Sequence, residues 1–441
     1  MRVTDITILG GGWAGLLCGY ELAKKFPHAI ITILERSDKR HLGGLLKSEN
    51  IEGFTFDTGG PHILFSKNRD ILSKIIAFLG ENVKKIERNA FVYYNDKYVP
   101  YPFENGIYVL EPSLRAKIGE DIIQAMLTNA ANPTWIPSTF RDWIYGFFGN
   151  TMGSEYLEPY NRKIWKTDPS NMEASWVFSP GRLPFPELKE VLSSVAGLKS
   201  VGYKEQQYFY YPKVGGIKAL YDSLLTKVIE LGVEFVSSYK VTSVVKTGDY
   251  WTVNGDIVSK DIINTLPLTV LPNILEIPEK VSGLIANLIY TKDIVVGVAI
   301  NRPNPDAQVL YVPSTDINFH RLTWMSNLAD APFPHTSNLI AETTISGQTI
   351  PDLNEITKKT LDGLIKMKII VTEEDVIFTK TWINDYGYPV YDLDHERIRG
   401  GIFSYLDSIG IKSVGRWGSW HYWNTDMVYK AVLETVKSVS L

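Results

Sequence analysis

The feature that most constrains this chain is a glycine-rich turn between a short apolar strand and a helix. Gly10, Gly12 and Gly15 fill the pattern G-x-G-x-x-G directly after the apolar residues 6–9. In this pattern the first glycine permits a tight turn, the second lets the backbone approach a pyrophosphate, and the third lets the helix pack closely on the strand. Free N–H groups and the helix dipole then favour phosphate. We predict a dinucleotide-binding βαβ unit rather than a plain one with a flexible turn.

The residues after the motif support this prediction. A helix over residues 16–26 and an apolar strand over residues 29–34 lead to Glu35, twenty residues after the last glycine of the motif. An acidic residue at that distance is expected to bind a ribose hydroxyl. Two further glycine turns follow, at residues 43–44 and 59–60. Because glycines let a ligand approach the backbone, we expect a large flat ligand at these turns.

Composition excludes several classes of partner. The 441 residues include 45 Lys and Arg against 49 Asp and Glu, without a run of five like charges, so neither a nucleic acid nor an anionic membrane is expected as a partner. The apolar run at residues 294–300 is too short to span a membrane. Cys18 is the only cysteine, which excludes an intrachain disulfide and fits a reducing compartment. We therefore expect a soluble, cytoplasmic protein.

The rest of the chain changes character twice. Residues 113–165 have helical periodicity, with one apolar stripe formed by Ile118, Ile122, Ile123 and Met126. Residues 288–382 alternate as in an antiparallel sheet. The C-terminal part of the chain is predicted to contain one more strand and a last helix that starts near residue 426. The expected side-chain caps of this helix are Asn424, Thr425 and Asp426.

Hydrolytic and metal chemistry is not indicated by the motifs. The seven histidines lack ligand spacing such as H-x₃-H, so we expect no metal site. A G-x-S-x-G nucleophile elbow is absent too. Since G-x-G-x-x-G occurs once, one dinucleotide should be held permanently and any other should bind only transiently.

Several motifs resemble a known group of flavoproteins. The first glycine turn, Glu35, Gly43-Gly44 and the closing Gly415-Arg416 resemble the FAD-binding framework of the amine oxidase and protoporphyrinogen oxidase superfamily. More specific segments resemble the UDP-galactopyranose mutase family, especially its eukaryotic-type branch. They occur in the family's order, span nearly the whole chain, and comprise residues 59–66, 99–105, 159–165, 387–389 and 415–422.

The resemblance implies a fold and an activity. The fold would be α/β (α+β overall), with a Rossmann-like FAD-binding domain, a helical insertion domain and an antiparallel β-sheet domain. Their expected boundaries are, in that order, residues 1–87, 212–287 and 396–441; residues 110–203; and residues 88–109, 204–211 and 288–395. The activity would be interconversion of UDP-galactopyranose and UDP-galactofuranose through an adduct between the sugar and N5 of reduced FAD, without net redox. NAD(P)H would serve as a transient reductant.

The same resemblance implies roles for individual residues. The catalytic residues would be His62, Arg182 and Arg321. The UDP-sugar substrate would be bound by Asn161, Trp165, Tyr311, Tyr388, Tyr422 and Asn424. The cofactor would be bound by Gly10, Gly12, Trp13, Ala14, Gly15, Glu35, Arg36, Gly43, Gly44, Gly60, Pro61, His62, Gly415, Arg416, Asp426 and Met427. Guanidinium groups suit a leaving diphosphate, and a cation with a helix N-terminus near the flavin pyrimidine favours the reduced anion.

The sequence leaves alternatives open. Val309 stands where the eukaryotic-type enzymes have a tryptophan against the uridine, and Glu104 replaces a glutamine near the flavin. The particular UDP-sugar therefore stays open, as do the choice of NADH or NADPH and the assembly state, for which a homo-oligomer is one option. An FAD-dependent oxidase or desaturase would share the FAD-binding framework but would not need the two arginines, Arg182 and Arg321. A flavin-bound binding protein without turnover is the other alternative.

Overall fold

The computed structural model describes residues 1–178, 187–200, 207–329 and 332–441. The strands in these ranges are β1 Arg2–Leu9, β2 Ile31–Leu34, β3 Ser48–Ile51, β4 Phe54–Asp57, β5 Lys84–Glu87, β6 Ala90–Tyr94, β7 Lys97–Pro100, β8 Tyr208–Tyr211, β9 Glu234–Val236, β10 Val244–Thr247, β11 Tyr250–Val253, β12 Ile257–Asn264, β13 Tyr290–Ile300, β14 Val309–Tyr311, β15 Arg321–Trp324, β16 Ser337–Ser346, β17 Val376–Pro389 and β18 Ile411–Ser413.

The helices in the same ranges are α1 Trp13–Lys25, α2 Arg69–Leu79, α3 Phe103–Gly106, α4 Pro112–Ala131, α5 Phe140–Met152, α6 Glu158–Trp165, α7 Leu188–Val195, α8 Lys218–Glu230, α9 Glu279–Ala286, α10 Leu353–Lys366, α11 His395–Ile409 and α12 Thr425–Lys437. One turn of π-helix, Gly153–Leu157, joins α5 to α6. Over the described ranges, every helix lacks the combination of length and apolar character that crossing a membrane requires.

The first sheet is mainly parallel and contains strands from both the N-terminal and the C-terminal part of the chain. Its order is β10–β11–β12–β1–β2–β9, and β18 also pairs with β12. Ile6, Ile8 and Ile33 have no exposed surface, because α1, α8 and α12 pack together beside these strands. This burial explains the continuous apolar runs in β1 and β2. The predicted order of strand, helix and strand is confirmed, with α1 beginning three residues earlier than expected and β2 beginning two residues later.

The second sheet is antiparallel except for one pairing. Its order is β17–β13–β16–β15–β14–β6–β7, in which β14 and β6 run parallel. The long strands β17, β13 and β16 lie side by side at one end of this order and pair antiparallel, and the predicted antiparallel region is therefore confirmed. Strand β8 does not join this sheet but pairs with β5 in a two-stranded sheet of its own. The domain boundaries stay a prediction.

In the sequence, the helices α4, α5 and α6 lie between strands β7 and β13 of the second sheet. α4, α5 and α6 bury an aromatic core with Trp143 at its centre. Ile118 and Ile122 are buried as predicted, but the placement of Ile123 in the same stripe is wrong, because its side chain is 38% exposed. Ile123 follows Ile122 by one residue, and a helix rotates about 100° per residue, so the two side chains leave the helix in different directions.

Candidate active site

The glycine turn has the geometry that its spacing predicts. Gly10 has a φ of +98°, which glycine adopts without strain and other residues rarely adopt. A Cβ atom added to Gly15 would lie 1.9 Å from the carbonyl oxygen of Gly10, so helix and strand are in direct backbone contact. A Cβ atom at Gly12 would meet no described atom closer than the Cα of Gly44, at 3.9 Å. Protein packing therefore does not require the glycine at position 12, whereas close approach of a pyrophosphate to this turn would require it.

Glu35 is held at the mouth of this turn. Its Oε2 accepts a hydrogen bond from the backbone N–H of Gly11 at 2.9 Å, and its Oε1 accepts one from the N–H of Ser37 at 2.8 Å. The two bonds orient the carboxylate but leave lone pairs for a hydroxyl group. Arg36, the next residue, is exposed. The structure thus places Glu35 where the motif predicts an acceptor for a ribose.

The closing turn and α12 meet the glycine motif. A Cβ atom on Gly415 would lie 2.6 Å from the Cβ of Ala14, and the indole Nε1 of Trp13 donates to the carbonyl of Thr425 at 3.1 Å. Residues separated by about 400 positions are therefore in direct contact at one edge of the first sheet. The glycine motif thus meets Gly44, Gly415 and the start of α12.

The expected cap of α12 is not formed. Asn424 occupies the N-cap position, but its side chain makes no capping hydrogen bond. Asp426 instead accepts a bond from the hydroxyl of Ser66 at 2.6 Å, because the loop before α2 lies beside this helix end. Asn424, Asp426 and Met427 line a cavity of about 410 Å³ there. The N-terminus of α12 consequently keeps its positive dipole end available to an anion.

The loop at residues 58–62 connects the dinucleotide side to the second sheet. Asn384 of β17 donates its side-chain N–H to the carbonyl of Thr58 at 2.8 Å. A Cβ atom at Gly60, whose φ is +84°, would lie 2.8 Å from Oε1 of Glu342 and 3.6 Å from a terminal nitrogen of Arg321. Pro61 and His62 are partly buried beyond it. The predicted loop therefore lies on the sheet face that carries Arg321.

Arg321 forms a two-point ion pair with Glu342. The Nε to Oε2 distance is 2.5 Å, and a second bond runs from a terminal nitrogen to Oε1. Burial opposes the charge on Arg321, but the carboxylate of Glu342 outweighs it and holds the guanidinium pKa well above its usual value. Arg321 is thus a permanent cation in a fixed orientation.

A second acid, Asp293, lies on the same sheet face. Val295 is the register partner of Glu342, and Asp293 precedes Val295 by two positions, which turns both acidic side chains to one side. Asp293 is 3% exposed, and its Oδ1 has no hydrogen-bond partner. Burial, followed by the charge of Glu342, raises the pKa of Asp293 well above its usual value, against the effect of Arg321 and Arg416. Burial and Glu342 thus favour the protonated form of Asp293. Sequence reasoning missed it, although a lone acid in an apolar strand was a signal.

Arg416 lies among the predicted tyrosines. Its guanidinium carbon is 4.8 Å from the ring centre of Tyr422 and 5.2 Å from that of Tyr388, and the two rings are 5.1 Å apart. A terminal nitrogen of Arg416 also donates to the carbonyl of Gly387 at 2.9 Å. The hydroxyl of Tyr311 accepts a bond from Arg88 at 2.9 Å. Arg88 is a further residue that the motifs did not reveal.

Trp165 and Asn161, whose contact with the substrate stays a prediction, are both buried. Nε1 of Trp165 donates to Oδ1 of Asn161 at 3.0 Å, and the amide of Asn161 donates to the carbonyl of Leu157. Trp165 packs 5.4 Å from the ring of Tyr422. These residues thus support the tyrosine cluster. The last predicted catalytic residue, Arg182, lies outside the described ranges. Val309 and Glu104 are buried.

Comparison with known proteins agrees with this architecture. Residues 8–78 match the model of an NAD(P)-binding Rossmann-like domain. A curated protein from Methanothermococcus thermolithotrophicus, an uncharacterized protein in the nifH2 3' region, is 35% identical over 71 residues, which are 16% of this chain and 64% of that protein. The chain thus matches somewhat less than two thirds of this relative's length.

Solved structures resemble the whole chain. A crystal structure of reduced UDP-galactopyranose mutase aligns with a TM-score of 0.86 at 22% identity, covering 99% of this chain and 94% of that one. A putative protoporphyrinogen oxidase from Exiguobacterium sp. 255-15 aligns with a TM-score of 0.75 at 15% identity, covering 99% and 98%. Putrescine oxidase bound to putrescine aligns with a TM-score of 0.62 at 16% identity, covering 99% and 98%.

These comparisons confirm the predicted fold class. The chain is a mixed α/β protein with a Rossmann-like dinucleotide-binding domain, a separate, mostly antiparallel sheet and a set of helices. At these identities the solved structures establish the fold, and the chemistry has to be argued from the site.

Proposed function

We propose that the dinucleotide is FAD and that the protein is a flavoenzyme. The open space at Gly12, the acceptor Glu35 and the available N-terminus of α12 fit a pyrophosphate, a ribose and a reduced flavin ring, respectively. Reduced FAD, when bound, supplies a nucleophilic nitrogen that lets a sugar ring open and close without net redox. NAD(P)H would supply the electrons. The single cysteine, Cys18, is buried and compatible with a cytoplasmic location.

We propose further that the substrate is a UDP-sugar and the reaction that of a UDP-galactopyranose mutase. The observation that carries this proposal is the convergence of Arg321, Arg416, Tyr388 and Tyr422 beside the loop of Gly60. A diphosphate needs fixed cations and hydroxyl donors, and this cluster offers both.

The charge of the cluster supports an anionic substrate. Arg321 and Arg416 are positive and Glu342 is negative, while burial and the charge of Glu342 raise the pKa of Asp293 well above its usual value and so favour its neutral form. As a diphosphate leaves a sugar, negative charge grows on its oxygens, and the fixed guanidinium groups stabilise that charge without reorganising. The tyrosine hydroxyls would add donors without adding charge.

One observation favours a second candidate, an FAD-dependent oxidase or desaturase. Arg321 is already neutralised by Glu342, and a buried ion pair of this kind can serve structure alone. The fold is also shared with the putative protoporphyrinogen oxidase and with putrescine oxidase. In that case Arg321 would stabilise the sheet and would not contact substrate.

Anaerobic turnover of UDP-sugars separates the two candidates. The protein, reduced with dithionite, NADH or NADPH, is incubated with UDP-galactopyranose and other UDP-sugars, and products are separated by chromatography. We expect a furanose product only with reduced protein and without stoichiometric consumption of reductant. Substrate-dependent reduction of the oxidised flavin by an amine, porphyrinogen or polyene would support the oxidase. Equal isomerisation by oxidised protein would contradict the proposed mechanism.

A further inference from the structure

Three potential metal ligands meet behind the tyrosine cluster. His395 and Glu396 begin α11, and His421 lies in the segment between β18 and α12. In the described part of the chain these residues bring one ligand atom each to within 4.8 Å of the other two. The spacing rule missed them because 25 residues separate the two histidines, and the fold alone makes them neighbours.

His395 is the central ligand of this group. It is 1% exposed, and its Nε2 is buried with no hydrogen-bond partner. Its ring stacks on Tyr391 with 4.0 Å between ring centres, so its orientation is fixed. A buried imidazole nitrogen without a partner is costly unless something binds it. The Oε1 atom of Glu396 lies 3.9 Å from this nitrogen, too far for a hydrogen bond.

Each of the three ligands is oriented by an outer partner. The other ring nitrogen of His395 bonds to the backbone of Val390. Nδ1 of His421 lies 2.9 Å from the hydroxyl of Tyr391. Oε2 of Glu396 accepts a bond from Arg399 at 2.8 Å, which leaves Oε1 directed to the histidines. Metal sites typically show such outer hydrogen bonds, which fix the tautomer and the ring orientation.

The set of ligands indicates the class of metal ion. Two imidazoles and one carboxylate are typical of zinc, whereas calcium and magnesium prefer oxygen ligands alone.

We propose that His395, Glu396 and His421 bind one divalent transition-metal ion of the zinc type. The ion would tie the start of α11 to the segment that carries Arg416 and Tyr422. Tyr422 follows His421 directly, and its backbone N–H donates to the hydroxyl of Tyr391 at 2.9 Å, so the ligands and the tyrosine cluster share one support. The site does not depend on the function proposed above.

Metal titration of the full chain without an affinity tag tests this site. The protein is freed of metal by chelation and titrated with ZnCl₂ by calorimetry and with CoCl₂ by visible absorption. We expect one equivalent of each ion to bind, a tetrahedral cobalt spectrum, and a higher melting temperature with zinc. Glu396→Gln and His421→Gln should each weaken zinc binding about tenfold or more, and Tyr391→Phe by about tenfold.

The control is His28→Gln, which removes an exposed histidine that is distant in sequence from the three proposed ligands. It should bind zinc as the parent does. Glu396→Gln changes a half-exposed side chain, so its fold is expected to persist, and near-UV circular dichroism verifies this. Zinc binding that is absent from the folded parent, or equal in Glu396→Gln, His421→Gln and His28→Gln, would overturn the proposal.

Discussion

Arg321 and Glu342 lie directly opposite each other on β15 and β16 and form an ion pair through two hydrogen bonds. Glu342 has no exposed surface, whereas 23% of the Arg321 side chain is exposed. The carboxylate thus fixes the plane of the guanidinium, and the exposed edge remains available to an anion. Arg321, the proposed contact of the diphosphate, is thus also part of the protein interior. Its substitutions are therefore chosen so that an effect on UDP binding can be told apart from an effect on stability.

We expect Arg321→Lys to weaken UDP binding about tenfold, because an ammonium keeps the charge but loses the forked geometry. Calorimetric titration of UDP at constant ionic strength measures this loss. The matched control is Arg302→Lys, since Arg302 also pairs with a carboxylate, that of Asp375, at 3.1 Å. The control should bind UDP as the parent does. If both variants kept full affinity, Arg321 would not contact the diphosphate.

Arg321→Ala should lower the free energy of unfolding as well, by roughly 3–5 kcal/mol, because it leaves Glu342 buried without its partner. Adding Glu342→Gln removes the stranded charge and should restore part of the stability without restoring UDP affinity. Urea unfolding and UDP titration of the single and double variants separate the two effects. Recovery of UDP affinity in the double variant would argue against direct binding by Arg321.

The glycine motif offers a matched pair of substitutions. Gly15→Ala places a Cβ atom 1.9 Å from the carbonyl oxygen of Gly10, so we expect the protein to be destabilised with or without cofactor. Gly12→Ala meets no such contact, so the cofactor-free protein should keep its melting temperature while FAD affinity falls. Thermal unfolding and fluorescence titration with FAD measure both properties. Normal FAD affinity in Gly12→Ala would place the pyrophosphate elsewhere.

Local chemistry explains why the dinucleotide side was predictable from the sequence. The roles of Gly10, Gly12 and Gly15 follow from backbone geometry within six residues, and the burial of β1 and β2 follows from their continuous apolar runs. Sequence spacing also located Glu35, because strand and helix lengths are similar in βαβ units. These signals are short-range, and tertiary packing did not override them.

The acidic half of the candidate site could not be predicted in this way. Glu342 is recognisable only as the register partner of Arg321, and although Asp293 is conspicuous as a lone acid in an apolar strand, its position beside Glu342 follows only from strand pairing. Strand pairing brings these residues together, although no sequence motif connects them. The same holds for His395 and His421, which the rule of ligand spacing excluded and the fold brings together. Asn424 takes the predicted N-cap position without a capping bond, and the bond between Ser66 and Asp426 beside it joins residues that no local rule connects.

Arg416 is expected to tune the flavin. Its guanidinium is held by the carbonyl of Gly387 and by the rings of Tyr388 and Tyr422. Replacing it by alanine removes a cation worth roughly 1.5–3 kcal/mol to a reduced, anionic flavin. The two-electron potential should then become more negative by about 30–60 mV. Arg397→Ala, at an exposed arginine of α11, serves as the control. A potential equal to the parent's would place Arg416 away from the flavin.

Asp57 should give stability an unusual pH dependence. Burial raises the pKa of this carboxyl from its ordinary 3.8 to about 6, although Ser48, Tyr211 and the backbone of Ile217 donate hydrogen bonds to it. Between these two values the folded protein keeps a proton that the unfolded chain has released. The stabilisation is therefore complete below about pH 3.8 and is lost as the pH rises through about 6, at ~1.4 kcal/mol per pH unit and ~3 kcal/mol in total.

Asp57→Asn removes this titration. We expect the unfolding free energy of the parent, relative to that of the variant, to fall as the pH rises from about 4.5 to about 6 and to level off above about 7. Urea unfolding across this range measures the difference, which cancels the titration of all other groups. Asp249→Asn, at an exposed carboxylate, should show no such slope. Asp57 connects β4 to the backbone before α8 through Ile217. A difference in unfolding free energy that did not change with pH would mean that the folded protein carries the ionised carboxylate throughout, with the three hydrogen-bond donors outweighing burial.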